Sequence, residues 1–155
     1  MNSNYKISCY NKKYPNLSIG ITDRILSKDL AKLGCFQAKS TILKFPLESQ
    51  VSEEFIWHFL RGYFDGDGTI NKNGFLTSIA TSKFFAKKLN KFCEMNKIKS
   101  FVRQHKNSKC FYLKIWRKID FFKFFENLYK DSENIRLERK HDIYKNHLTK
   151  TKHKL

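Results

Sequence analysis

No run of about 18 apolar residues occurs in the 155-residue chain, and its first residues form no apolar stretch. Neither a membrane-spanning helix nor a secretory signal is therefore expected, and the reading is of a soluble, intracellular protein with no membrane partner. There is no Cys-x-x-Cys pair: Cys9, Cys35, Cys93 and Cys110 stand far apart. That spacing argues against a cysteine zinc site or a disulfide framework and for buried or free thiols. Acid is scarce, with 14 Asp and Glu against 31 Lys and Arg, a net charge of +17. Arginine is scarce too: only Arg24, Arg61, Arg103, Arg117, Arg136 and Arg139 interrupt a basic complement that is otherwise lysine, spread along the chain. A distribution of this kind suits a phosphate backbone, where counterion release makes binding steeply salt-dependent. A ribosomal or membrane surface, or an AT-rich coding sequence, would give a similar composition. With 41% hydrophobic and 15% aromatic residues, the chain can build a core as one domain or two small, closely packed halves.

The acids that are present are concentrated where they stand out. Leu60-Arg61-Gly62-Tyr63-Phe64-Asp65-Gly66-Asp67-Gly68 closes a run in which Phe55, Ile56, Phe59, Leu60, Tyr63 and Phe64 recur at helical spacing. Ser52 is the expected N-cap, with Glu53 and Glu54 in the first turn, where negative charge suits the helix dipole. Gly62 falls on the apolar stripe and costs the helix about 1 kcal/mol relative to alanine. Close approach of another helix is the expected reason. Asp65 and Asp67 lie at the negative end of the dipole and repel one another, so a hard divalent cation held by oxygen ligands is expected to neutralise them. Asp-Gly-Asp-Gly also reads as an ordinary turn. The segment matches the middle of an EF-hand loop as well, but that template requires acids where Tyr63 and Gly74 stand, so it is rejected.

The rest of the chain is organised by an internal repeat. Leu17, Thr22, Lys28, Leu30 and Lys32 recur 59 positions later as Leu76, Thr81, Lys87, Leu89 and Lys91. Both copies read as a strand followed by a capped helix, burying Leu26, Leu30 and Leu33 in the first and Phe85, Leu89 and Phe92 in the second. Shifted by the same offset, the acidic segment falls on Met1–Cys9, which contains no acid. The expected division is therefore a partial half-repeat over 1–50, strands plus a helix, and a full unit over 51–155. Thr69–Ala80 alternates around Asn71-Lys72-Asn73-Gly74, a hairpin signal, and Ser100–His105 with Lys109–Trp116 gives a second hairpin around Lys106-Asn107-Ser108. In the latter, Phe111, Leu113 and Ile115 share one face, while Tyr112, Lys114 and Trp116 share the other. A basic and aromatic sheet face can enter the DNA major groove, or be only a solvated surface. Asn71, Lys72, Asn73, Arg103, Gln104, Lys106, Lys109, Tyr112, Lys114 and Arg117 are the candidate DNA-binding residues. Ile119–Tyr129 reads as an aromatic helix and Arg136–Leu155 as a basic helix and tail.

Leu60–Gly68 resembles the signature of the LAGLIDADG homing endonucleases, agreeing at the leucine, the first glycine, both acids and the last glycine. Phe55–Phe59, the Leu128-Tyr129 pair and Leu137–Lys140 are similar to the flanking parts of phage and organellar members. This resemblance implies an α+β fold, an αββαββα unit with an antiparallel DNA-binding sheet. It implies two motif helices packed through small residues, with Phe59 and Gly62 at the helix-pair interface. Asp67 would be the catalytic acid, Asp67 and the Gly66 carbonyl would hold magnesium or manganese, and Asp65 would be mainly structural. The activity implied is site-specific hydrolysis of phosphodiester bonds in double-stranded DNA, with Lys114, or Lys109 behind it, as the basic residue near the attacking water. One motif supplies one acid cluster, so a homodimer or a complementary motif-bearing chain is expected for a double-strand cut. The alternatives are a non-catalytic DNA-binding protein or splicing cofactor acting on intron RNA, and a remnant of a two-motif enzyme. Location would be the cytoplasm of a phage or bacterial host, or an organelle.

Overall fold

The computed structural model describes residues 7–10, 16–35 and 41–152, which fall into two compact units, Met1–Phe36 and Gln37–Leu155. The first contains an antiparallel ribbon, β1 (Ile7–Tyr10) and β2 (Asn16–Ile19), in the register Ile7 to Ile19, followed by α1 (Arg24–Lys32). Asp23 caps α1 by accepting hydrogen bonds from the Ile25 and Leu26 amides at 2.8 and 3.0 Å. The burial expected for the apolar face of this helix does not occur: Leu26, Leu30 and Leu33 remain 41%, 41% and 58% exposed. A two-stranded ribbon and one short helix offer each other too little apolar surface to make a core.

The second unit begins earlier than the sequence division at 50/51 suggested, because Leu43 and Phe45 pack against its core. After a 3-10 turn (Glu53–Phe55) come α2 (Ile56–Asp67), β3 (Gly68–Ile70), β4 (Thr77–Thr81), α3 (Lys83–Met95), β5 (Phe101–Gln104), β6 (Phe111–Ile115) and α4 (Lys118–Tyr129), which is the αββαββα order. A last helix, α5 (Glu138–Lys152), follows. Ser52 sits at the N-cap position of the 3-10 turn in extended backbone, although its side chain makes no capping bond. Ser82 does cap α3, its hydroxyl accepting from the Phe85 amide at 3.1 Å and donating to the Leu43 carbonyl.

Both expected hairpins form, and together they make one antiparallel sheet in the order β3-β4-β6-β5. Strand alternation sends Ile79, Leu113 and Ile115 inward, each 1% exposed, against helices lined by Leu60, Phe64, Phe85, Leu89, Phe121, Phe124 and Phe125, all fully buried. Aromatic rings close this core edge to face, with Phe64 at 6.0 and 5.2 Å from Phe124 and Phe125. Helices therefore cover one face of the sheet. The opposite face carries Thr69, Ser78, Lys114 and Phe101 in one row across the strands and Ala80, Tyr112 and Arg103 in the next.

Candidate active site and sheet face

Helix α2 is the element that positions the acids. Its inward side, Ile56, Leu60, Arg61 and Phe64, is buried. Arg61 is a buried charge satisfied by carbonyls: it donates to Ile135, Leu128 and Lys130 at 3.1, 3.3 and 3.4 Å and lies 2.7 Å from His58 Nδ1. The second residue of the motif thus ties α2 to the end of α4. Tyr63 anchors the other flank, its hydroxyl donating to Thr81 Oγ1 at 2.8 Å while its ring stacks on Phe85 at 4.5 Å. Burial raises the pKa of this phenol.

The two acids at the helix end have different environments. Asp65 is fully engaged: its carboxylate accepts from the Leu137 amide at 2.8 Å and from the Tyr129 hydroxyl at 3.3 Å, which fixes the entry to α5. Asp67 is exposed and makes no hydrogen bond or ion pair among the described residues. A cation of the chain lies at this helix end. Lys140, only 3% exposed, donates its ammonium to the carbonyls of Phe64, Asp65 and Gly68 at 2.6, 2.9 and 2.5 Å. These carbonyls lie at the C-terminus of a helix, where a cation is favoured. Burial, and then Arg139, push the Lys140 pKa down, against the pull of Asp65 and Asp67.

The glycines of the motif also separate into two kinds. A Cβ on Gly68 would enter the Phe64 ring and lie 2.6 Å from the Phe64 carbonyl oxygen, so only glycine fits. Gly62 and Gly66 have nothing within 4 Å of an added Cβ. Gly62 is exposed rather than buried as its place on the apolar stripe suggested, because the stripe is wide enough to be split. Ile56, Leu60 and Phe64 enter this chain's core, while Phe55, Gly62 and Gly66 lie on an open face with Phe59 at its border.

The model of the LAGLIDADG-like domain matches residues 54–129, from the first turn before α2 to the end of α4. This segment is a LAGLIDADG-like domain. No curated protein matches the chain in sequence. Within this LAGLIDADG unit, the structure gathers some of the residues singled out for DNA and separates others. Arg103, Gln104, Lys106, Tyr112 and Lys114 line one shallow depression on the sheet's open face together with His105 and Asn107. Lys114 leans toward the Tyr112 ring, 5.9 Å from its centroid, and has no bond to either acid among the described residues. It lies two strands from Thr69, roughly 10 Å at ordinary strand spacing. Lys109 is exposed in the β5–β6 turn.

Asn71, Lys72 and Asn73 form the β3–β4 turn, braced where the Asn71 side chain accepts from the Asn73 amide at 2.8 Å and where His147 meets the Asn71 carbonyl at 2.8 Å. Lys72 and Asn73 face Arg139, Asn146 and Lys150 of α5 across a second depression. Arg117 is elsewhere: it sits at the N-cap position of α4, pairs with Asp120 at 3.1 Å, and shares a surface with Lys97, Lys99 and Lys123. Sequence reasoning missed Lys140 and Arg61 as parts of the site. Their partners lie 67 to 76 residues away, and no local pattern marks such pairs.

Proposed function

We propose that this chain is a site-specific DNA endonuclease that hydrolyses phosphodiester bonds at the end of the LAGLIDADG helix. The observation that carries the reading is the contrast between the acids: Asp65 is consumed by the fold, whereas Asp67 stands exposed, its carboxylate unpaired among the described residues. An acid kept unpartnered at the negative end of a helix is unfavourable for folding and calls for a ligand. The oxygens offered there, the Asp67 carboxylate beside the exposed Gly66, suit a hard divalent ion such as magnesium or manganese. Such an ion supplies Lewis acidity to the phosphate and lowers the pKa of water.

The chain's own residues would do the remaining work. Lys140 and Arg61 hold the helix end rigid, so that Asp67 is presented in one place. The sheet face would lie along the duplex, with Arg103, Lys106 and Lys114 on phosphates and Gln104 and Tyr112 toward base edges. Lys114 is the proposed base-side residue near the attacking water, with Lys109 behind it. One acid cluster serves one strand. The open stripe of Gly62 and Gly66, flanked by Phe55 and Phe59, is the proposed contact for a second motif helix, from a homodimer or a complementary chain. Without that partner, the same face and charge would serve a non-cleaving DNA-binding or intron-splicing protein.

Incubation of the purified chain with DNA carrying its own gene's insertion junction, with and without magnesium, tests the reading. Asp67→Asn is expected to abolish metal-dependent cleavage while leaving DNA binding unchanged or slightly tighter, since a negative charge beside the phosphates is removed. Cleavage by that variant at the wild-type rate would refute the assignment.

A further inference from the structure

Apart from the motif, one other cluster of ligand-type side chains stands out among the described residues. Glu138, His141 and Asp142 each offer an atom, and these atoms lie within 4.8 Å of one another. Spacing of three and four positions on α5 puts all three on one helix face. Acids at a helix start are common without any ion, so the histidine decides the matter. His141 is 6% exposed, and its Nδ1 is buried without a hydrogen-bond partner. It faces Glu138 Oε2 at 3.7 Å, too far for a hydrogen bond between them. The other oxygen of Glu138 is occupied by Arg136 Nε at 3.1 Å, which leaves Oε2 turned toward the imidazole. Edge-on packing against Tyr129, with centroids 4.9 Å apart, fixes the ring.

We infer that Glu138, His141 and Asp142 form a binding site for a borderline divalent transition ion of the zinc class, at the start of α5. One imidazole nitrogen and two carboxylates are a set that such ions accept, with positions left for water. Burial, and then Arg136 and Lys145, hold the His141 pKa below its ordinary value against the pull of Glu138 and Asp142. The same two cations select against an ion held by charge alone, so magnesium gains little here. A metal at this place would pin the turn from which Leu137 reaches Asp65 and Lys140 reaches the motif helix, a structural role. The site stands apart from the endonuclease reading, since Asp67 is not among its ligands.

Calorimetric titration of the metal-free full chain with zinc, with cobalt absorption as the spectroscopic probe, tests it. Expected are one zinc equivalent per chain, a thermal midpoint that rises with zinc, and an affinity about tenfold or more weaker in Glu138→Gln and Asp142→Asn. Both of those side chains are exposed, so the variants should fold, and His141→Gln should remove binding altogether. Asp67→Asn is expected to keep the zinc site while losing cleavage. No zinc binding by the wild type, binding that survives the paired Glu138→Gln and Asp142→Asn change, or binding abolished only by thiol alkylation would each overturn the inference.

Discussion

Replacing Lys140 with methionine preserves the length and apolar stem of the side chain and removes only the ammonium. Three carbonyls then lose a donor, but the Phe64 oxygen retains the Gly68 amide, so two acceptors, those of Asp65 and Gly68, are stripped. Each buried carbonyl left without a partner costs about 1–3 kcal/mol. Loss of a cation from the end of α2 adds about 0.3–1 kcal/mol. Relief of the desolvation that the buried ammonium suffers works in the opposite direction. The net expectation is a loss of about 3 kcal/mol, or roughly 10 °C in Tm for a unit of this size. Urea unfolding followed by tryptophan emission is the suitable assay, because Trp57 packs between Phe92 and Phe124 at 5.1 and 5.9 Å and reports the core directly. A Lys140→Met protein within about 0.5 kcal/mol of wild type would mean that the ammonium does not hold the helix end, and the account of a preorganised Asp67 would fail with it.

Other substitutions separate the two kinds of glycine. Gly68→Ala should destabilise the unit by about 3 kcal/mol through overpacking against Phe64, whereas Gly62→Ala should stabilise an isolated chain by up to about 1 kcal/mol yet weaken any paired state, as sedimentation would show. DNA affinity should fall by orders of magnitude between low and moderate salt; an affinity independent of salt in a filter-binding assay would contradict phosphate contact. Burial raises the Cys93 pKa to about 12, so Cys93 should resist alkylation at pH 8 until denaturant is added, while exposed Cys35 reacts at once. Linkage has a definite sign here: the unfolded thiol ionises first, so stability falls as pH climbs from about 9 toward about 12.

Local signals were legible and distant ones were not. Strand alternation in Phe111–Ile115 and the Asn-rich turn after Ile70 act over a few residues, and the elements they imply are present at the expected places. The apolar periodicity of α2 showed that residues would be buried but not by which neighbour. Leu60 and Phe64 found this chain's core, while Gly62 did not. The same limit applies to α1, whose pattern matches that of α3 although only α3 has helices and a sheet to cover it. The resemblance alone set Asp65 apart from Asp67 in sequence; the physical difference between them is the pair of bonds that Leu137 and Tyr129 make to Asp65.

The stitching of residues 64–68 to residues 137–140 has a temporal side. Its hydrogen bonds span 72 to 76 positions, so closing them requires a long loop and comes late in folding. In refolding, α2, the sheet and α4 can assemble before the lysine that seals the acid-bearing helix reaches it. A chain caught at that stage would carry Asp67 on a frayed helix end, and ordered presentation of that carboxylate would wait until α5 has docked.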